Sequence, residues 1–336
     1  MESLVIPNED IPKYAVLGWI GQGSLSVVYK AEDPTQAFDS PLRCIALKRM
    51  PAECKDIGKQ ESVVLSLFKK SKYVVDHYGS FYIGGQMVLA FELLDWRRSL
   101  SLSTFNIRAP DDSVRGTTDL QVTLAKIALQ LLLGVMEMHD RNFIHADIKP
   151  SNIMFQLGHR HKIKLIDLGN AVEKRMLPKY HRDFELQSLS YRAPEVLLGD
   201  ARFSEKIDIW SIGVVLFELF VNGLFKVHEN KWTLIRDSDR KQIVSTITSY
   251  IGPLDFYKGQ SAFWHDDYSE ANVSDSRRQM LKQTLSHSNE DIGLLANFLQ
   301  NLLNVDHLRR PSARAALQHP FLKQKLLGSW GSVLFQ

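Results

Sequence analysis

Cysteine is nearly absent from this sequence, with Cys44 and Cys54 the only two in 336 residues. That excludes a disulfide framework and a Cys-x-x-Cys metal cluster, and it points to a reducing, intracellular setting. Charge of one sign is lacking too. The 41 basic and 38 acidic residues leave a formal net charge of +3 with no block of like charge, which argues against a nucleic-acid partner. No run of four basic residues marks nuclear import, so cytoplasm and nucleus both stay open. The first ten residues carry Glu2, Glu9 and Asp10 in place of a basic region followed by an apolar one, so no secretory signal is expected. Long hydrophobic runs are missing as well. The longest, Ile207 to Val221, is interrupted by Asp208, Ser211 and Glu218 and is too short for a bilayer core of about 30 Å. It reads as a buried helix, and no membrane contact is expected.

What is present is an ordinary globular balance, 44% hydrophobic and 24% charged, enough to fold the whole chain as two domains or lobes. The first third reads as strands. Tyr14 to Gly18, Val27 to Ala31 and Cys44 to Met50 are short β-branched and apolar runs between Gly, Pro and Asp turns. Phe81 to Ile83, Gly84-Gly85, then Met87 to Leu93 reads as a hairpin, since two glycines supply the positive φ of a tight turn. One helix, Lys59 to Lys70, interrupts the strands with Val64, Leu65 and Phe68 on one face. After Asp95 the period changes to three and four residues at Leu120, Leu124, Ile127, Leu131, Val135 and Met138, the pattern of a long helix with one buried face. A small hairpin, Ile153 to Leu157 and Ile163 to Ile166, follows. The remainder is mainly helical, with a helix near Arg240 to Tyr250 inside a polar stretch from His228 to Asn289. No internal repeat is evident.

Several residues carry chemistry. Gly21, Gly23, Ser26 and Val28 lie between two expected strands, where glycines let backbone amides approach phosphate oxygens; a plain hairpin turn is the alternative. Ala46 and Lys48 end a strand. A strand-end lysine is ordinarily a solvated charge, but Glu61 on the following helix is placed to hold this ammonium, with Glu53 as rival partner. The run Ile144 to Asn152 offers Asp147, Lys149 and Asn152, and the next strand end offers Asp167. Phosphoryl transfer from ATP needs such parts: a carboxylate to orient the attacking hydroxyl, a cation for the transferred group and oxygen ligands for Mg²⁺. Singly, each is also an ordinary loop hydrogen-bonder.

The succession of glycine loop, Ala46-x-Lys48, helix Glu61, His145-x-Asp147-x-Lys149-x-x-Asn152, Asp167-Leu168-Gly169 and Ala193-Pro194-Glu195 resembles the eukaryotic protein kinase signature set. It continues through Asp208-Ile209-Trp210-Ser211-Ile212-Gly213 and Arg310-Pro311 to His319-Pro320-Phe321-Leu322. Tyr191 to Gly199 and the insert ending near Ile251-Gly252-Pro253 are similar to the CMGC group. His145-Ala146-Asp147 and Asp167-Leu168-Gly169-Asn170 resemble the SR-protein kinases and related splicing and dual-specificity kinases.

The resemblance implies an α+β bilobal fold. Residues 1–13 form an N-terminal extension, 14–94 a β-rich N-lobe, 95–322 a helical C-lobe with an insert at about 228–289, and 323–336 a tail. It further implies a monomeric serine/threonine kinase acting on proteins with ATP and Mg²⁺. Asp147 would be catalytic, Lys149 would steady the phosphoryl group, and Asn152 and Asp167 would hold Mg²⁺. Lys48, paired with Glu61, would hold the α- and β-phosphates. Val28, Ala46 and Met154 would sandwich the adenine, with Phe91 as gatekeeper beside a hinge from Glu92 to Leu94. Ser188 would lie between Asp147 and Lys149, and Glu195 with Arg310 would form a buried brace.

Three positions depart from the pattern: Ser26 replaces a glycine, Leu168 a phenylalanine, and Ala146 the arginine that grips an activating phosphate. With Glu185 where related kinases carry a phosphorylated tyrosine, a carboxylate pairing with Arg192 would give activity without phosphorylation; a merely solvated loop glutamate is the alternative. The competing readings are a pseudokinase scaffold of the same fold and a small-molecule kinase. Lys48, Asp147, Asn152 and Asp167 are all present, which disfavours the first, and the intact Ala193-Pro194-Glu195 segment disfavours the second.

Overall fold

A computed structural model describes residues 14–23, 25–40, 42–100, 115–159, 161–180, 186–221, 237–268 and 290–326. The chain divides into two compact units. One comprises Met1–Leu100 with Ser151–Ala171, the other Ser101–Pro150 with Val172–Gln336. The segment Ser151–Ala171 therefore groups with the first hundred residues, although it follows the long helix in sequence.

The first unit is built on an antiparallel sheet in the order β1 (Ala15–Gln22), β2 (Val27–Glu32), β3 (Cys44–Arg49), β5 (Gln86–Glu92), β4 (His77–Ile83). Alternation sends Ala31, Ile45, Leu47, Ile83, Val88 and Ala90 to one face, where Tyr14, Val16, Tyr29 and Phe81 cover them. The β4–β5 turn is Gly84-Gly85, with φ of 53° and 75°, as a two-residue turn between twisted strands demands.

Helix α1 (Lys55–Ser66) packs against β5 and β4. It buries Val64 and Leu65, with Phe68 just beyond its end, each contributing roughly 1.5–3 kcal/mol. Gly58 permits this approach: a Cβ there would sit 2.8 Å from the Met50 sulfur and 3.0 Å from that of Met87. The expected helix Lys59–Lys70 is thus displaced by four residues. A short turn, Ala52–Cys54, feeds the helix directly, and Lys70, at φ 69°, ends the turn that follows it. A second, three-stranded sheet joins β6 (Leu94–Ser99), β8 (Ile153–Gln156) and β9 (Ile163–Leu165).

In the second unit, α2 (Arg115–Asp140) buries Leu124, Ile127, Ala128, Leu131, Val135 and Met138. Its window Leu120–Asp140 is long and apolar enough to cross a membrane by composition, yet 61% of it is buried inside the protein. The pair β7 (Phe143–Ile144) and β10 (Val172–Glu173) flanks the loop that follows α2. Then come α3 (Pro194–Leu198) and α4 (Lys206–Val221), the latter apolar on nearly every face, as expected of a buried helix.

Gly213 brings α4 against the end of α6 (Glu290–Leu302), since a Cβ there would lie 2.9 Å from Leu303. In sequence between these two helices comes α5 (Asp237–Tyr250), three residues longer than the expected helix at its N-terminal end. The described part of the insert is tied to α3: the Ala262 and Phe263 N–H groups donate to the Gly199 and Leu198 carbonyls. Short helices α7 (Ala313–Ala316) and α8 (Pro320–Leu326) pack on α2.

Candidate active site

In the first unit the sheet register gathers one set of candidates. Gly21 lies opposite Val28, Val28 opposite Lys48, and Ala46 opposite Phe91. Directly opposed residues share a face, so Val28, Ala46, Lys48 and Phe91 project to the side that α1 covers. Gly23 closes the β1–β2 turn by donating its N–H to the Ser26 carbonyl at 2.8 Å. A Cβ at Gly23 would press on the Ser26 hydroxyl at 3.1 Å.

The Lys48 ammonium lies 2.8 Å from both Glu61 carboxylate oxygens and 2.7 Å from Asp167 Oδ1. Glu53, the rival partner, is exposed. Burial pushes Lys48 toward neutrality, but the Glu61 and Asp167 charges more than offset this, and its pKa lies above the ordinary lysine value. Glu61 is buried and also accepts the Leu168 N–H. Asp167 is 41% exposed at its side chain and sits in the left-handed region, φ 62° and ψ 71°. That conformation costs a non-glycine residue about 1–3 kcal/mol and is held by its surroundings. Leu168 beside it is fully buried. Asn152, also buried, accepts the Ile166 N–H at its carbonyl, 3.0 Å, one residue before Asp167.

Met154 is half-buried on β8. Phe91 is buried against the His77 ring at 5.4 Å, and Leu94 is buried at the start of β6. The Glu92 carboxylate is turned inward, accepting the Asp76 N–H at 2.7 Å and pairing with Lys164.

The second unit holds another set. Asp147 accepts both the N–H and the hydroxyl of Ser188, at 3.1 and 2.7 Å. Lys149 donates to the Ser188 hydroxyl at 2.7 Å and stands 3.0 Å from Asp147 Oδ2. A carboxylate, an ammonium and a hydroxyl are thereby locked in one ring of hydrogen bonds.

Two residues given no role from the sequence hold this loop. Asp208, fully buried on α4, accepts the His145 and Ala146 N–H groups, each at 2.9 Å, and lies 2.9 Å from His139 Nε2. Gln187, at φ 66°, donates its N–H to the Ala146 carbonyl and its amide to Ser211, while its side-chain oxygen accepts the Ala193 N–H. The signal for Asp208 was in view: a carboxylate inside an apolar helix requires buried donors.

Arg192 is buried and donates through Nε and Nη2 to the Gln187 carbonyl, at 3.2 and 2.7 Å. Glu185, its expected partner, lies outside the described residues. Glu195 and Arg310, both fully buried, pair at 2.5 and 2.9 Å.

A catalytic-type loop fixed by buried carboxylate and amide groups, with a lysine caged between two carboxylates, is the equipment of a phosphoryl-transfer protein. The chain belongs to the protein kinase family: the protein kinase domain model matches residues 14–322. It has the α+β kinase fold. Two relatives come from Trypanosoma brucei brucei. Cell division control protein 2 homolog 2 is 34% identical over 211 residues, 62% of this chain and 56% of that protein. Cell division control protein 2 homolog 3 is 26% identical over 326 residues, 95% of this chain and 94% of its own length. The chain thus spans little more than half the length of the first.

Proposed function

We propose that this protein kinase transfers the γ-phosphoryl group of ATP to serine or threonine hydroxyls of proteins, and that it does so without phosphorylation of its own activation segment. The hydrogen-bonded ring of Asp147, Lys149 and Ser188 is the observation that carries this reading. Asp147 orients the incoming hydroxyl and takes up its proton, and Lys149 balances the charge on the transferred group. Ser188 fixes the distance between them, at the position where serine/threonine kinases keep a hydroxyl. Lys48 holds the α- and β-phosphates, kept charged and aimed by Glu61. The glycine turn from Gly21 to Ser26, closed by the Gly23 N–H on the Ser26 carbonyl, brings main chain close to phosphate, while Val28, Ala46 and Met154 sandwich the base, Phe91 stands as gatekeeper and Glu92–Leu94 meet the base through main chain.

Mg²⁺ would neutralise charge on the phosphates. The donors fit it: a partly exposed carboxylate on Asp167 and an amide on Asn152, in adjoining turns of one unit. With so few protein ligands, the cation would be held largely by phosphate oxygens.

Independence from phosphorylation is supported in the sequence by Glu185, a carboxylate where related kinases carry a phosphorylated tyrosine, and by Ala146, which leaves no arginine beside Asp147. The setting we infer is intracellular, with a protein substrate and ATP as partners. Phosphatase-treated protein, verified free of phosphate by mass, should phosphorylate a basic protein with ATP and Mg²⁺ at nearly the untreated rate. An inert dephosphorylated enzyme would refute the second half of the reading; incorporation confined to tyrosine would refute the first.

A further inference from the structure

Lys164 is a charged side chain only 3% exposed that the proposed chemistry leaves unused. A lysine is almost never so deeply buried unless it is paired. It lies on β9 directly opposite Met154. Its ammonium meets the Glu92 carboxylate and stands 3.4 Å from Asp76 Oδ2. The exchange between those acids is reciprocal: Asp76 gives its N–H to Glu92 Oε1 at 2.7 Å, and Glu92 gives its N–H to the Asp76 carbonyl at 3.0 Å. Asp76 Oδ1 also takes the Lys70 N–H at 3.1 Å. Main-chain bonds reinforce the junction, Leu165 N–H to Tyr73 at 2.7 Å and Val75 N–H to Leu165 at 3.0 Å.

One cation thus joins the end of β5, the segment before β4 and the middle of β9. Both the N–H and the carboxylate of Glu92 are spent inside the fold, so the course of the chain from Phe91 to Leu94 is set by an ion network as well as by packing. Such networks are strengthened by low local dielectric while complete and are costly when one member is lost. Without Lys164, two like charges would face each other across the Glu92–Asp76 pair, and repulsion would act on the strand end itself.

We propose that Lys164 is a positioning residue for nucleotide: through Glu92 and Asp76 it fixes the main chain of Glu92–Leu94 against which adenine lies. This rests on the reading of Glu92–Leu94 as the segment that meets the base. The role differs from that of Lys48, which acts on phosphate.

The test measures ATP affinity by titration with a fluorescent ATP analogue, with KM for ATP and kcat in parallel, for wild type, Lys164→Met, Glu92→Gln and the double variant. Lys164→Met keeps the apolar stem and removes the charge; Glu92→Gln keeps an acceptor for the Asp76 N–H. Each single variant should raise the Kd and KM for ATP roughly threefold to thirtyfold, with kcat changed less, and the double variant should be little worse than either single one, as for partners in one network. A merely structural role would lower the melting temperature and the active fraction while leaving Kd and KM at wild-type values, and that result overturns the proposal. If Lys164→Met does not fold, Glu92→Gln alone decides. Wild type that binds no nucleotide would defeat the underlying site reading; wild type that binds while both variants bind equally well would defeat this inference alone.

Discussion

Replacing Arg310 by methionine should unfold the second unit at a much lower temperature. Glu195 and Arg310 are both fully buried and joined by two hydrogen bonds of 2.5 and 2.9 Å. Arg310 also donates to the Asn304 and Lys206 carbonyls, each at 3.1 Å, and lies 5.0 Å from the Trp210 ring centre. In the variant, Glu195 keeps the Tyr257 hydroxyl at 3.3 Å, but that single proton is already directed at the Val305 carbonyl at 2.6 Å. A carboxylate left unpaired in the interior costs about 3–5 kcal/mol, a large part of a typical total of about 5–15 kcal/mol. At roughly 2–4 °C per kcal/mol for a unit of this size, the melting temperature should fall by about 6–20 °C. Thermal unfolding followed by circular dichroism reads this directly. Combining Arg310→Met with Glu195→Leu removes both charges and should recover stability relative to the single variant. A fall below about 2 °C in the single variant, or a double variant less stable than it, would refute the reasoning.

Ser188→Ala should lower kcat by about tenfold to a hundredfold through loss of the geometry between Asp147 and Lys149, with KM for ATP within about twofold in steady-state assays. Asp208→Asn turns one acceptor oxygen toward the loop into a donor. It should cost about 1–3 kcal/mol in urea unfolding and reduce kcat, because the His145 and Ala146 N–H groups, just before Asp147, hang from that carboxylate. Burial lowers the pKa of His77, His307 and His319 below the ordinary histidine value, so the fold prefers their neutral forms. Their stabilising effect is present above about pH 6.5 and is lost as pH falls through the lowered values. On the alkaline side burial, with nearby carboxylates, pushes Tyr78 up to about 12 and raises Tyr257 as well. Their effect is present below about pH 10 and lost above it. Urea midpoints measured across pH should therefore form a plateau between these limits.

The strands and the glycine hairpin were legible because alternation and turn chemistry are local. Where tertiary contacts decide, the reading slipped. Strand β6 was not anticipated, since Asp95-Trp96-Arg97-Arg98 has weak strand preference. It is held by pairing with β8 and by Arg98 lying 4.4 Å over the Phe155 ring. Helix α1 starts four residues early because the turn after Pro51 leads straight into it. The chemistry-bearing residues stood out through type and spacing. Asp208 and Gln187 did not, because they act on main-chain groups more than forty residues away in sequence, as from Asp208 to Ala146, or through backbone conformation. Glu92 was legible as a position, but its side-chain partners Lys164 and Asp76 come from other strands and loops.

The central claim is tested most directly by phosphate transfer from γ-labelled ATP to a generic basic protein in the presence of Mg²⁺, comparing wild type with Asp167→Asn. The wild type should label serine or threonine, and the variant should lose at least about a hundredfold in rate while melting close to the wild-type temperature. No transfer by the wild type, or transfer by Asp167→Asn at the wild-type rate, would contradict the account.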